Sequence, residues 1–459
     1  MVRRHALVQG SLAIGLLFVV GAARADQARD PGVRNEAPAA GDPLPGLTPA
    51  QLAAFEDGKR EFEEAEGVAD GLGPRFNLDS CVGCHAQPAV GGTSPAANPQ
   101  VDVATAFGAN NAVPFFVTRN GPVREARFKY NPDGTRDGGV HALFVVSARD
   151  DSTGDARGCT LTQEDFTSAA HAGNLIFRIP TPTFGAGLIE QIPDSAIVAN
   201  ASYGWHRKAA LGIRGRPHRV RIDSGTTNVN GNDGTVARFG WKAQNKSLLL
   251  FSGEAYNVEM GISNELFQTE RDETAGCQLA PTPNDSTHHD GATPEDMLSG
   301  IEKFAAFMRF LAPPSPSTTS PGGAVSIANG RMVFRTIGCA DCHTPMLTTG
   351  NATVEALRNQ TVALYSDLLL HGMGPSLADD IVQAQAGPDE FRTAPLWGLG
   401  QRIFLLHDGR TTDLLVAIAA HASPADSRFP ASEANRVVDS FRMLGEAQKQ
   451  DVLNFLRSL

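Results

Sequence analysis

Apolar residues recur at helical spacing in five stretches, four of them in the second half of the chain. After Thr48-Pro49, the stretch Leu52 to Glu66 places Leu52, Phe55, Phe62 and Ala65 on one face of a predicted helix. Met297 to Leu311 predicts a second helix, and Val325 to Ile337, with Ile327, Val333 and Phe334, a third that ends just before Cys339. Thr412 to His421 (TDLLVAIAAH) predicts a fourth whose last residue can be presented inward. Gly445 to Leu459 closes the chain, with Val452, Phe455, Leu456 and Leu459 on one face.

The pattern changes between about Val101 and Pro294. Gly, Asn and Asp punctuate short apolar runs at Val113–Thr118, Ala142–Val146, Arg219–Ile222 and Ser247–Phe251, which read as short strands or loops. Asp26 to Pro45, rich in Pro, Gly, Ala and charge, reads as a flexible leader. Pro313 to Gly323 (PPSPSTTSPGG) has the composition of a linker. The expected fold class is mainly α, with long loops and a few short strands.

The N-terminus changes the picture. Arg3, Arg4 and His5 precede the apolar run Leu12 to Ala22, and Ala23-Arg24-Ala25 has the A-x-A form of a cleavage site. This predicts a secretory signal peptide over 1–25 and a periplasmic or secreted mature protein. No other run is long enough to span a bilayer, so an integral membrane protein is not expected after cleavage. Losing three arginines and no acid takes the net charge from −11 to −14, which argues against nucleic acid and against an anionic membrane surface.

The chain has 6 Cys and 12 His. Four of the cysteines fall in Cys81-Val82-Gly83-Cys84-His85 and Cys339-Ala340-Asp341-Cys342-His343. Cys-x-x-Cys-His is the attachment pattern of c-type haem: two thiols form thioethers with the vinyl groups and the adjacent His meets the iron. Random order would give about 0.002 such motifs in a chain of this composition. Two covalent haems are therefore expected, on Cys81 and Cys84 with His85, and on Cys339 and Cys342 with His343. The remaining pair, Cys159 and Cys277, suggests a disulfide in an exported protein. Two internal echoes point to duplicated units. Phe76 and Phe334 each lie five residues before their CxxCH, and Pro182-Thr183-Phe184-Gly185-Ala186-Gly187 mirrors Pro395-Leu396-Trp397-Gly398-Leu399-Gly400. The expected organisation is a leader over 26–46, an N-terminal haem c domain with a large loop-rich insertion over 47–312, a linker over 313–323, and a C-terminal cytochrome c-like domain over 324–459.

These residues carry a resemblance. FRTIGCADCHTP (334–345), YSDLLLHGMGPSLAD (365–379), FRTAPLWGLG (391–400) and LLHDGR (405–410) resemble the di-haem oxidoreductase family. LDSCVGCHAQPAVGG (78–92), TPTFGAGLIEQIPDSAI (181–197) and ARFGWKAQ (237–244) agree with it. More distantly the chain is similar to bacterial di-haem cytochrome c peroxidases and to di-haem rubber oxygenases. In the peroxidases an HDG motif is followed fourteen residues later by the distal ligand of the C-terminal haem. Here His407-Asp408-Gly409 is followed at that spacing by His421, where peroxidases have Met. The resemblance thus implies bis-His ligation by His343 and His421, as in the rubber oxygenases, and a lowered potential. Peroxidase relatives also hold Ca²⁺ between their haem domains. Asn228–Gly234 offers oxygen ligands at alternating positions, although a polar turn is the first reading.

For the first haem, His141, His171, His206 and His218 are available, with no helix-borne partner like His421. Glu190 is the candidate acid–base group and Phe184 the candidate apolar wall. Trp241 and Trp397 are candidate relays between the haems. The favoured function is an oxidoreductase that reduces peroxide at an open N-terminal haem. Its electrons would come through the C-terminal haem from a small donor protein of cytochrome or cupredoxin type. A pure electron carrier with two six-coordinate irons, and an oxygenase of an apolar substrate, are the alternatives.

Overall fold

The structure, a computed structural model, describes residues 27–151, 154–220 and 235–459. The expected signal peptide and the Asn228–Gly234 turn lie outside the described residues. The described residues are mainly helical with a few short strands. The elements that carry the sites are, in chain order, α1 (Pro49–Glu63), β1 (Glu125–Phe128), β2 (Val140–His141), β3 (Leu175–Arg178), α2 (Leu248–Met260), α3 (Gly300–Phe310), α4 (Gly323–Ile337), α5 (Leu414–Ala420) and α6 (Glu446–Ser458). Among the described residues, no helix is long and apolar enough to cross a membrane.

Two helix crossings organise the chain, and both depend on a glycine. On α1, a Cβ at Gly58 would stand 2.2 Å from Lys303 O and 3.0 Å from Phe307 Cβ of α3. On α4, a Cβ at Gly330 would stand 1.9 Å from Asp451 O and 2.8 Å from Phe455 Cβ of α6. Only hydrogen at these positions lets the two backbones touch. Four residues later in each helix comes a phenylalanine on the same face. Phe62 packs on Phe307 at 4.9 Å and edge-on to His85 at 5.9 Å. Phe334 packs on Phe455 at 5.3 Å and on His343 at 6.2 Å. The internal echo is therefore real, but its members differ from the expected ones. Phe62, not Phe76, is the counterpart of Phe334. Phe76 instead forms a two-residue strand with Arg75, paired with Phe144–Val145.

Local signals explain the helix ends. Thr48 and Gln51 cap α1 reciprocally, with Pro49 at its first turn. Gly338, at φ 107°, stops α4 immediately before Cys339. The strand or loop expected at Ser247–Phe251 is instead the cap and first turn of α2: Ser247 Oγ accepts from Leu250 N. This helix is buried on more than one face, at Leu248, Ser252, Tyr256, Asn257 and Met260, so its sequence lacks an amphipathic period. Val113–Thr118 is irregular, while Ala142–Val146 and Arg219–Ile222 each contribute a two-residue strand within the described residues. The three-stranded sheet, in the order β2-β1-β3, is antiparallel and aligns Glu125 with Arg178.

The leader is not free. Fully buried Arg457 on α6 donates to both carboxylate oxygens of Asp30, at 2.8 and 2.7 Å, and Asp30 also accepts from Leu414 N at the start of α5. Leu44 N donates to Phe310 O, Ala312 N, just before the expected linker, donates to Asp42 O, and Ser315 N of the linker donates to Pro38 O. Composition argued for freedom in both segments. A buried guanidinium needs a counter-charge, however, and the leader supplies it. Cys159 and Cys277, 118 residues apart, form the expected disulfide.

Replacing Gly330 with Ala forces a methyl group against the backbone of α6. It should lower the stability of the protein by about 3 kcal/mol, read as the midpoint shift in denaturant unfolding. An unchanged midpoint would contradict the close crossing.

Candidate haem sites

The first Cys-x-x-Cys-His motif folds as one helical turn, with His85 N donating to Cys81 O at 3.1 Å. The turn brings Cys81, Cys84 and His85 to the wall of a cavity with about 1220 Å³ of atom-free space. His85 Nδ1 donates to Gly92 O at 2.9 Å, which leaves Nε2 as the basic nitrogen. Burial lowers the pKa of His85, so the ring is neutral, the form a metal requires.

The other walls of this cavity are charged. β1 and β3 supply Glu125, Arg127 and Arg178, and α2 supplies Glu254 and Glu259. Glu125 and Glu259 are hydrogen-bonded to each other. Arg127 Nε donates to Glu125 Oε1 at 2.6 Å, and Asn77 Nδ2 donates to Glu259 Oε2 at 2.7 Å. Burial and the neighbouring Glu125 carboxylate raise Glu259 well above the usual range. Burial is the largest influence on Glu125 and pushes it up, but Arg127, the hydrogen bond from Glu259 and Arg178 together hold Glu125 below the usual range. The pair therefore keeps one proton at neutral pH, on Glu259. Burial raises Glu254 as well. His85 is the only histidine that lines this cavity among the described residues. His141 is bonded to Asp137, and both ring nitrogens of His218 are taken, by Lys242 O and Ala243 O on one side and Gln385 N on the other. His171 and His206 are exposed. Two thioethers, Met260 and Met308, do line the cavity.

The second motif forms a tighter turn over Cys339–Asp341, with His343 N donating to Cys339 O at 2.9 Å. Its cavity has about 1460 Å³ of atom-free space and is lined by Cys339, Cys342, His343 and, from the end of α5, His421. The two imidazoles are anchored alike. His343 Nδ1 donates to Tyr365 O at 3.0 Å and His421 Nδ1 to Ala417 O at 2.7 Å. Each is left with a basic Nε2. Burial, followed by the proximity of His421, takes His343 down to about 4. His371 is different: Glu433 holds Nδ1 at 2.8 Å and Asp367 holds Nε2 at 3.0 Å, so neither nitrogen is free. His407 stacks on Phe391 at 4.4 Å, and burial lowers it to about 4.

A smaller cavity lies between the two and is lined by Phe184, Trp241, Trp397, Arg392 and Arg402. Trp241 lines all three cavities, and its Nε1 donates to Ile179 O at 2.8 Å. The P-x-aromatic-G-x-G echoes flank this region. Their last glycines, Gly187 and Gly400, touch the backbones of α3 and α6 at Arg309 O and Arg457 O.

Two expected site residues are placed elsewhere. Glu190 does not line the His85 cavity: its Oε1 accepts from Leu248 N at the start of α2, and its Oε2 pairs with Arg309 Nε at 2.9 Å. A carboxylate is favoured at a helix N-terminus, and that role absorbs it. Phe184 is buried in the intermediate cavity, away from His85. The acidic residues that do reach the His85 cavity, Glu125, Glu254 and Glu259, come from β1 and α2, and no local motif marks them.

A family model described as "Di-haem oxidoreductase, putative peroxidase" matches residues 124–459. The chain belongs to this di-haem oxidoreductase family. No match is found among curated proteins. Among solved structures, a hydrazine synthase of Kuenenia stuttgartiensis matches with 14% identity and a TM-score of 0.23, over 36% of this chain and 56% of that one. The diheme peroxidase BthA of Burkholderia thailandensis matches with 16% identity and a TM-score of 0.29, over 48% and 65%. A MauG-like protein associated with microbial copper homeostasis matches with 15% identity and a TM-score of 0.28, over 61% and 89%. The chain thus spans less than two thirds of the first two, and likenesses this low carry no argument about its chemistry.

The family implies haem iron, and the two cavities fit it. Each offers unpaired cysteines, and each offers a histidine with Nε2 left free. Arg392 and Arg402 are buried against the second cavity, and among the described residues no carboxylate is bonded to either. Burial, with repulsion from Arg402 and Arg457 respectively, takes both down to about 10. Anionic propionates would relieve that cost.

Replacing His421 with Met should raise the potential of the haem at His343 by a sizeable share of the roughly 0.8 V span that axial ligation controls. Replacing His371 with Ala should leave its axial ligation unchanged. Redox titration with optical detection separates the two; a potential that responds only to position 371 would contradict the pairing of His343 with His421.

Proposed function

We propose that the chain is an exported di-haem c-type oxidoreductase that reduces peroxide at the haem of His85, with electrons entering through the haem of His343. One observation carries this reading: the two cavities are unequal. The His343 cavity contains a second imidazole with a free Nε2, whereas among the described residues the His85 cavity contains none. Six-coordinate iron suits electron transfer, and an open coordination position suits a small oxidant. Covalent attachment at Cys81 and Cys84, and at Cys339 and Cys342, follows from the thiols on each cavity wall.

Bound haem supplies the redox chemistry. The chain supplies position and protons. Reducing one peroxide to two waters takes up two electrons and two protons. Glu259, protonated and bonded to Glu125, is placed to deliver a proton inside the His85 cavity, and Arg127 holds the resulting carboxylate pair. Trp241, on the walls of all three cavities, is the apolar bridge along which an electron would pass. An acidic surface suits a basic donor protein of cytochrome or cupredoxin type.

Met260 and Met308 give the electron-carrier alternative its one foothold, since a thioether could occupy the sixth position at the first haem. Stopped-flow mixing of the two-electron-reduced protein with hydrogen peroxide distinguishes the readings. Both haems should oxidise rapidly. Glu259→Gln should slow that step by roughly 100-fold, whereas Glu190→Gln should not. Because Glu259 must be protonated, the rate should hold through neutral pH and fall as pH rises past its elevated pKa. Slow oxidation unaffected at Glu259 would favour the carrier.

A further inference from the structure

One buried pair at the edge of the His85 cavity, of which Tyr256 lines the wall, has no part in this scheme. Tyr256, on α2, lines the cavity, is 5% exposed, and packs edge-on against Phe304 at 5.0 Å. Its hydroxyl donates to Glu66 Oε1 at 2.7 Å. Glu66 is 6% exposed and lies in the chain segment between α1 and the first Cys-x-x-Cys-His motif. Among the described residues, no side chain other than Tyr256 donates to Glu66. Tyr256 also lies close enough to Cys81 for the two to repel as anions, which puts the phenol beside the edge where a haem would be attached.

A phenol that gives up an electron must lose its proton in the same event if it is buried. Otherwise a charge is created where it cannot be solvated. A backbone carbonyl cannot take that proton, but a carboxylate can. A buried carboxylate is costly in a merely structural role, since a Phe and a Gln would fill the same space without it. Burial raises Glu66 to about 7, and Glu64, Glu61 and Asp70 add to the rise, so its basicity is well above that of an ordinary carboxylate. The chain's other tyrosines are placed differently. Tyr130 and Tyr203 are exposed, and Tyr365 is held by its backbone carbonyl against His343, with no carboxylate bonded to its hydroxyl.

We propose that Tyr256 is a redox-active tyrosine with Glu66 as its proton acceptor. The step rests on the peroxide reading above for its oxidant. Tyr256 would give one electron to the haem that His85 would hold, once peroxide had oxidised it. The O–H bond of Tyr256 breaks, its proton forms a new O–H bond on Glu66, and the phenol becomes a neutral phenoxyl radical. The tyrosine is oxidised by one electron, its acceptor would be reduced by one, and the carboxylate becomes a carboxylic acid. The radical holds the oxidising equivalent when no donor electron has arrived through the second haem.

The test uses the holoprotein in its resting ferric form and after one-electron reduction. It is mixed with hydrogen peroxide, frozen within milliseconds, and read by electron paramagnetic resonance. A tyrosyl signal is expected in the wild type and in Tyr203→Phe, and should be lost in Tyr256→Phe. Glu66→Gln should slow its appearance by roughly 100-fold, and the infrared band of a newly protonated carboxyl should be missing in that variant. In parallel, flash-quench photo-oxidation by ruthenium tris-bipyridine supplies an oxidant that does not depend on peroxide. If the haem of His85 reacts with peroxide but neither route yields a Tyr256 radical, the pair is structural and the proposal is overturned while the peroxide reading stands. If peroxide does not react but photo-oxidation gives a radical that requires Tyr256 and Glu66, the pair is upheld and the peroxide reading fails.

Discussion

The close crossing of α1 with α3, and of α4 with α6, is the constraint from which both sites follow. Gly58 and Gly330 have no side chain, so each pair of backbones meets in contact. One turn further along, Phe62 and Phe334 are driven by helical geometry to the same face, where each rests against the histidine of its own motif. The backbone then completes the arrangement. Gly92 O and Tyr365 O hold Nδ1 of His85 and His343, so that each ring presents one nitrogen, in one tautomer. Helix packing, ring orientation and ligand chemistry are thus one chain of cause rather than three separate features.

From this common frame the two halves diverge through what is added to it. In the C-terminal half, α5 delivers His421 to the cavity of His343, and buried arginines gather with Asp30 of the leader as the carboxylate paired with Arg457. In the N-terminal half the additions are β1, β3 and α2, which surround the His85 cavity with acids and guanidinium groups instead of a second imidazole. Burying this many charges is expensive unless they are paired, and most are: Glu125 with Arg127, and Arg178 with Asp379 at 2.6 Å. The exceptions are Glu259, which stays buried beside Glu125 by keeping a proton, and Glu254, which burial also raises. A fold selected only for electron transfer gains nothing from a proton stored there. On the proposed reading, that stored proton is the purpose of the insertion.

Much of this was legible along the chain, for reasons that also set the limit. The Cys-x-x-Cys-His turns, α1, α3, α4 and α6 are local: a cap, an apolar face and a stop sit within one segment, so periodicity finds them. The presence of His421 in the same cavity as His343 was readable through the resemblance to di-haem peroxidases, which gives the spacing from His407 its meaning. What escaped is what depends on residues far apart. Helix α2 lacks a polar face because it is enclosed by both the sheet and α3, so its first turn resembled a strand. Glu125 and Glu259 are 134 positions apart in sequence and meet only once the sheet has packed on α2. Glu190 lay close to a recognisable motif and drew attention for that reason, yet the nearest unsatisfied charge was Arg309 and the N-terminus of α2. The leader, disordered by composition, is ordered by one buried arginine 427 positions away.

The account stands or falls on the inequality of the two haems. Electron paramagnetic resonance of the ferric and half-reduced holoprotein measures it directly. The prediction is a high-spin signal from iron held by His85 alone, together with a low-spin, bis-imidazole signal from iron held between His343 and His421, with cyanide converting only the first. Two low-spin signals in both redox states, neither altered by cyanide, would contradict it.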